Sequence, residues 1–319
     1  MLNIAIHAMP QPASASTAPF VHDTLIIGAG PGGLTAAIYL RRFMRQVAIF
    51  DKGNSRASWI PVSHNYPGFP EGVGGKVLLD NLRSQLQRYG GAVTDAAIDS
   101  LRLEDGTFVA TWAGGEVRAL TVILATGIAD NSLPVERWRD AVASGAVRLC
   151  PVCDGYDVVD RNIAIVSSAT NPIGHAMFMR SFSARVTLFD RSEGAIIDDG
   201  ERAQLAAAGV RYVDSPVRTV TLADDLTPVL HTADGQAHPF DVLYPMLGEV
   251  VHNELATALG ARTADCGEPV VDDSQATTVP GLYAVGDVVQ GLNQISVATG
   301  QAAIAATSIH NALPWTLRQ

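Results

Sequence analysis

Cysteine is scarce in this chain of 319 residues: there are three, too few to staple a small secreted scaffold. Two of them, Cys150 and Cys153, form a C-x-x-C pair and leave Cys266 over. In a reducing compartment a lone C-x-x-C is more often catalytic or metal-binding than structural. Charged residues are thin as well, at 17%, and their balance of −10 argues against a nucleic-acid binder, which needs a basic footprint for phosphates. No uninterrupted run of about 18 apolar residues occurs, so no segment reads as a spanning helix. The opening stretch MLNIAIHAMPQPASASTAPF has neither the basic start nor the continuous apolar segment of a signal peptide. Its Ala, Ser and Pro content reads as a flexible arm over residues 1–21. The expectation is a soluble cytoplasmic protein without membrane or nucleic-acid partners.

Hydrophobic residues make up 47% of the chain and glycines number 29, which fits a globular protein, and the length fits two domains. Asp23–Ile27 reads as a strand, Leu34–Arg45 as a helix and Val47–Asp51 as a strand ending in an acid, together a βαβ unit. Asn65–Gly75 reads as a loop and Lys76–Tyr89 as a helix. Short strands follow at Ala92–Thr94, Ser100–Leu103, Thr107–Thr111, Glu116–Ala119 and Thr121–Ala125. A second βαβ signal runs from Asn162–Val166 through a helix near Ile173–Ser183 to Arg185–Phe189. Two such units predict an α/β protein of two Rossmann-like, three-layer domains.

Gly28-x-Gly30-x-x-Gly33 falls where the first strand becomes a helix. The first glycine permits a tight turn, the second lets the backbone approach a pyrophosphate, and the third allows close strand–helix packing. The helix N-terminus supplies unpaired N–H donors for an anion. Asp51 follows at about the 20-residue distance from which an acid reaches a ribose 2′-OH. NAD and FAD are separated further along. Thr277-Thr278-Val279-Pro280-Gly281-Leu282-Tyr283-Ala284-Val285-Gly286-Asp287 is a strand followed by Gly-Asp, whose acid suits the hydroxyls of a ribityl chain, present in FAD and absent from NAD. The Ala-rich helix Ser296–Asn311 would aim its positive end at the flavin pyrimidine edge.

Cys150-Pro151-Val152-Cys153-Asp154-Gly155 is the sharpest local signal. A two-residue spacer lets two sulfurs close a small ring that opens easily, one thiolate attacking and the other resolving the mixed disulfide. Asp154 stands where it could exchange a proton with a departing thiolate. Zinc would need two further ligands, and no second C-x-x-C or His pair lies nearby, so no metal is expected. A pair of inert buried cysteines, or a thioredoxin-like domain, would also account for the spacing. His64, His175, His252 and His310 stand singly and read as structural or solvent-facing, and Cys266 as an incidental thiol.

Taken in order, Gly28-Ala29-Gly30-Pro31-Gly32-Gly33, Asn65-Tyr66-Pro67-Gly68, Ala125-Thr126-Gly127, Cys150-x-x-Cys153-Asp154-Gly155 and Tyr283-Ala284-x-Gly286-Asp287 resemble the low-molecular-weight thioredoxin reductases from about residue 22 to 312. The resemblance implies a discontinuous FAD domain, 22–130 plus 249–319, interrupted by a smaller central domain, 131–248, that carries the dithiol, and it implies a homodimer. It places flavin contacts on Gly28, Gly30, Pro31, Gly33, Asp51, Asn65, Ala125, Gly127, Gly286, Asp287, Gln294 and Ile295. Cys150 and Cys153 become the redox disulfide and Asp154 its acid/base, with a thioredoxin-like protein or a small disulfide or dithiol as the reacting partner.

One part of that pattern is broken. The family's second Gly-rich turn, which binds NADPH, corresponds here to Ser167-Ser168-Ala169-Thr170-Asn171-Pro172-Ile173-Gly174. Side chains replace three glycines, and Pro172 removes a donor N–H. The following strand leads into Asp190-Arg191-Ser192, where an acid would repel a 2′-phosphate. The chain therefore resembles the branch of thioredoxin reductases that lacks NADPH-binding motifs. Electrons would come from reduced ferredoxin, another flavoprotein or a dithiol. An ordinary NADPH-dependent reductase, an oxygen-linked dithiol oxidase and a non-catalytic flavin redox sensor are the competing readings. Trp315, just past Pro314, is a candidate to stack on an isoalloxazine, its own or a partner's.

Overall fold

The computed structural model describes residues 20–135, 137–168, 171–191 and 197–315. The arm read over residues 1–21 lies outside them apart from Phe20 and Val21, and Val21 already belongs to a strand.

The chain opens with β1 (Val21–Ile27), α1 (Pro31–Arg42) and β2 (Val47–Asp51), the expected βαβ unit with its helix starting earlier, at Pro31. Proline suits that first position because its missing N–H would have had no intrahelical partner. Then come α2 (Gly75–Arg88), β3 (Thr94–Asp95), β4 (Ser100–Glu104), β5 (Thr107–Trp112) and β6 (Gly115–Leu124). Read from sequence as two strands, β6 is one strand of 10 residues. Its first half pairs antiparallel with β5 and its second half parallel with β16 (Leu282–Ala284), from far along the chain. The sheet order is β3-β2-β1-β6-β5-β4, with β16 on β6.

Alternation along β1 sends Ile26 to one face and Leu25 and Ile27 to the other. Ile26 meets Leu34, Ala37 and Leu40 of α1 and Ala302, Ala305 and Ile309 of the C-terminal helix α8 (Ile295–Ala312). Small residues on α8 let it lie close against α1, and the glycine-rich start of α1 lies beside Ala298 near the start of α8. Leu25 and Ile27 meet Phe108, Val122 and Leu124 on the opposite face.

The two strands β7 (Ile128–Asp130) and β15 (Glu249–Val251) pair antiparallel and bracket a second sheet system. Between them lie α3 (Trp138–Ala143), α4 (Pro151–Asp154), β8 (Asn162–Ser167), α5 (Pro172–Arg180), β9 (Arg185–Asp190), α6 (Asp199–Ala207), β10 (Arg211–Val213), β11 (Val217–Leu222), β12 (Pro228–Thr232), β13 (Ala237–Pro239) and β14 (Val242–Met246), and α7 (Glu254–Ala258) follows β15. β10-β9-β8-β14 is a parallel four-stranded sheet, and β11-β12-β13 an antiparallel one packed over it. Ile163, Ala164, Ile165 and Val166 of β8 are wholly buried, as a central parallel strand covered on both faces requires. Burial of each branched member stabilises this unit by roughly 1.5–3 kcal/mol. Trp59, from the first unit, packs against the core of the second, with the Arg139 guanidinium 5.3 Å from its ring centre. The layout is α/β with two Rossmann-like parallel arrangements, as the two βαβ signals predicted.

Candidate active site

The start of α1 is bare. Gly30 is its N-cap and offers no side chain, so the N–H groups of Gly32 and Gly33 have no capping partner. The glycines flanking it are obligatory. Gly28 has φ +104°, and a Cβ there would lie 2.2 Å from the Ala125 carbonyl oxygen; a Cβ on Gly33 would lie 1.9 Å from the carbonyl of Gly28. A Cβ at Gly30 meets only Ser55 Oγ at 3.4 Å, so that position is held open for something other than this chain's packing. Asp51 ends β2, nearly buried, with Arg83 Nη2 3.4 Å away. A Cβ added at Gly127 (φ +66°) would meet nothing within 4 Å among the described residues. Asp287 lies beyond β16, 3.7 Å from Arg56, which also grips Asp130 through two hydrogen bonds of 2.7 and 2.8 Å. Burial pushes the Asp287 carboxyl up, and Arg56 opposes the shift. This donor set fits FAD: bare N–H groups for a pyrophosphate, acids for ribose and ribityl hydroxyls, and the uncapped start of α8 beyond Gln294 and Ile295.

Cys150 and Cys153 are joined as a disulfide at the start of α4. Cys150 caps that helix, its Sγ accepting from the Cys153 N–H at 3.2 Å. The pair sits against the start of α8, where Gln294 Nε2 lies 3.4 Å from Cys150 Sγ and 3.2 Å from Cys153 Sγ. Asn65 Nδ2 donates to Gln294 Oε1 at 2.9 Å. Thus Asn65, Gln294 and both cysteines, distant in sequence, meet at one point.

Asp154 follows Cys153 directly in α4. Tyr244 donates its hydroxyl to Asp154 Oδ1 at 2.8 Å, and Arg148 Nη1 lies 3.0 Å from Oδ2. Burial raises the Asp154 carboxyl above its ordinary range despite these two partners, which favours the protonated form. The same burial, with Asp154 beside it, raises the Tyr244 phenol, so it stays a donor. Tyr244 and Arg148 gave no signal in the sequence. Tyr244 belongs to the apolar-looking strand VLYPM, and only the pairing of β14 with β8 brings it under the dithiol. His64, read as isolated, lies with Nδ1 3.0 Å from Asp157 Oδ2.

The second βαβ unit is built differently. Asn171 takes a left-handed conformation (φ +53°), and its Oδ1 accepts from the Gly174 N–H at 3.0 Å, capping α5 with Pro172 at the first position. Ser167 is wholly buried, and its carbonyl accepts from the Arg191 N–H at 3.1 Å, tying the ends of β8 and β9 together. Asp190, also wholly buried, accepts from the Tyr212 hydroxyl at 2.5 Å. Ala169, Thr170 and Ser192 lie outside the described residues.

Trp315 packs edge-on to His310 with ring centres 4.9 Å apart, at the far end of α8, about 27 Å of helix from Gln294. Arg45 holds this end by donating to the carbonyls of His310, Leu313 and Pro314. Cys266 is exposed and unpaired. Among the described residues no helix is long and apolar enough to cross a membrane.

A family model described as pyridine nucleotide-disulphide oxidoreductase matches residues 22–302. The thioredoxin reductase of Mycolicibacterium smegmatis is 28% identical over 308 residues, covering 92% of this chain and 96% of that protein. Among solved structures, thioredoxin reductase from Streptococcus pyogenes MGAS5005 matches with a TM-score of 0.83 at 26% identity, covering 91% of this chain and 97% of that one. The crystal structure of HlmI matches with a TM-score of 0.82 at 27% identity, covering 91% and 92%.

Proposed function

The chain belongs to the pyridine nucleotide-disulphide oxidoreductases as a flavin-dependent, thioredoxin-reductase-like enzyme, and from that premise we propose that it exchanges electron pairs through Cys150–Cys153 without using NADPH. The observation that carries the second half of this reading is the filled start of α5. Asn171 occupies a donor that a pyrophosphate would need, Pro172 removes another, and Asp190 is buried against Tyr212 where a 2′-phosphate reader would stand.

In this reading the FAD domain is 22–130 plus 249–319 and the dithiol domain 131–248. Gly28, Gly30, Pro31 and Gly33 hold the pyrophosphate, Asp51 the adenosine ribose and Asp287 the ribityl chain. Asn65, Ala125, Gly127, Gly286, Gln294 and Ile295 border the ring system. FAD, when bound, supplies a two-electron store beside the disulfide.

The chain's own residues then perform thiol–disulfide exchange. In the reduced protein, a thiolate of the pair attacks one sulfur of a substrate disulfide; the substrate S–S bond breaks, and the departing thiolate takes a proton from Asp154. The second cysteine attacks the mixed disulfide, the Cys150–Cys153 bond re-forms, and the second substrate sulfur leaves as a thiol or thiolate. Run in reverse, a substrate dithiol is oxidised and Asp154 accepts the proton. Tyr244 and Arg148 hold Asp154 in place for both directions.

A thioredoxin-like protein or a small disulfide or dithiol is the substrate class, and ferredoxin or another flavoprotein the donor where a dithiol is not. A dithiol oxidase passing electrons to oxygen is the second reading, favoured by the same filled helix start. We place the enzyme in the cytoplasm as a homodimer. Steady turnover of a disulfide substrate with a chemical reductant, abolished in Cys150→Ser, is the expected result. A single stoichiometric reduction followed by arrest would instead mean a redox sensor.

A further inference from the structure

Gln294 makes two contacts that a flavin-binding role alone does not require: Nε2 reaches both sulfurs of the dithiol, at 3.4 and 3.2 Å. Its neighbours decide which end of the amide faces them. Asn65 Nδ2 donates to Gln294 Oε1, and Asn65 Oδ1 in turn accepts from Ser63 Oγ at 3.0 Å. Turning the Gln294 amide over would set oxygen lone pairs against sulfur lone pairs and one NH₂ group against another. The row Ser63–Asn65–Gln294 therefore aims two N–H bonds at a pair of sulfurs. A neutral disulfide is a weak acceptor, whereas a thiolate is a strong one.

We propose that Gln294 stabilises the thiolate form of the Cys150–Cys153 dithiol and so sets its acidity and redox balance, with Asn65 as the residue that positions the amide. This rests on the reading of the pair as the working dithiol. When the disulfide takes up two electrons, from flavin or from a substrate dithiol, the S–S bond breaks and negative charge remains on sulfur until a proton arrives. Donors already placed for both sulfurs favour that charged product over the disulfide. The Cys153 N–H contributes to Cys150 from within the pair's own turn; Gln294 is the contribution from α8, made only while the dithiol is seated there.

The test uses the flavin-loaded protein, reduced anaerobically, with each cysteine's alkylation by iodoacetamide followed over pH by peptide mass spectrometry. A second arm equilibrates the protein with glutathione buffers, in which two glutathione thiols reduce the disulfide and become one glutathione disulfide. In Gln294→Leu the lower thiol pKa should rise by about one unit. The ratio of dithiol to disulfide at a fixed buffer should fall on the order of tenfold, equivalent to about 30 mV. Near-isosteric Gln294→Glu, which sets a carboxylate against the sulfurs, should shift both further in the same direction, and Asn65→Ala should give an intermediate shift. Unchanged alkylation profiles and glutathione equilibria in the Leu and Glu variants would overturn the proposal, as would a shift in Asn65→Ala alone. Neither arm needs turnover. If no disulfide or dithiol substrate is ever turned over and the Gln294 shifts persist, the functional reading fails and the inference about Gln294 stands.

Discussion

The helix after β1 and the helix after β8 begin in opposite ways, although each joins two parallel strands of a Rossmann-like sheet. α1 starts at Gly30 with no side-chain cap, beside two glycines that sterically admit no other residue. α5 starts at Asn171, whose own side chain occupies the Gly174 N–H, and Asp190 at the end of β9 is turned inward to Tyr212. The fold survives this change because α5 still packs Ala176 and Met179 against Ile163 and Ile165. Packing faces and anion sites use different atoms of the same helix, so one can close while the other is kept. The first donors of a helix can be met by a ligand or by a side-chain cap, and the two starts differ in which of these the chain itself supplies.

Five substitutions sharpen or break this contrast. The largest effect on flavin binding is expected from Gly33→Val, whose Cβ collides with the Gly28 carbonyl: FAD affinity should fall by roughly a hundredfold, about 2.7 kcal/mol. Ser168→Ala in the second unit should leave the yellow colour intact. Next, Asp154→Asn should lower dithiol–disulfide turnover by about 10²–10³ with flavin content unchanged. The pH profile adds a sign. The proton-donating form of Asp154 is present below its pKa and lost above it, and burial raises that pKa. Disulfide reduction should therefore lose rate at a pH above the ordinary carboxylate range, and the Asn variant should lack that limb.

A smaller effect follows from giving the first unit the second unit's cap. In Gly30→Asn the side chain competes with a pyrophosphate for the start of α1, and FAD affinity measured by equilibrium release should weaken about tenfold. Unchanged affinity would break the contrast. The smallest effect is expected for Asn171→Ala, which uncaps α5: urea or thermal unfolding should show a loss of about 1 kcal/mol with FAD affinity unaltered.

The parts of the site carried by local chemistry were legible in the sequence: the Gly28–Gly33 turn, the acid ending β2, the C-x-x-C pair and its neighbouring Asp154. Each is a short motif whose physics is complete within a few residues. Legibility fails where tertiary pairing decides. Thr121–Ala125 read as its own strand because nothing local reveals that β6 runs through Leu120, its second half held by β16 from residue 282 onward. Tyr244 read as one more apolar strand residue, since its hydroxyl finds Asp154 only through the β14–β8 register. Gln294 read only as an expected flavin contact and not as a partner of the sulfurs, a contact that joins residues 141 and 144 positions apart. Trp315 meets His310 at the far end of α8, a ring contact that no local motif announces.

The most direct test is anaerobic mixing of the purified yellow protein with excess NADPH and, separately, with a small dithiol, following flavin absorbance in both. Bleaching by the dithiol and not by NADPH is the predicted result, and it should be lost in Cys150→Ser. Rapid bleaching by NADPH would contradict the claim that the start of α5 is closed to a nicotinamide cofactor.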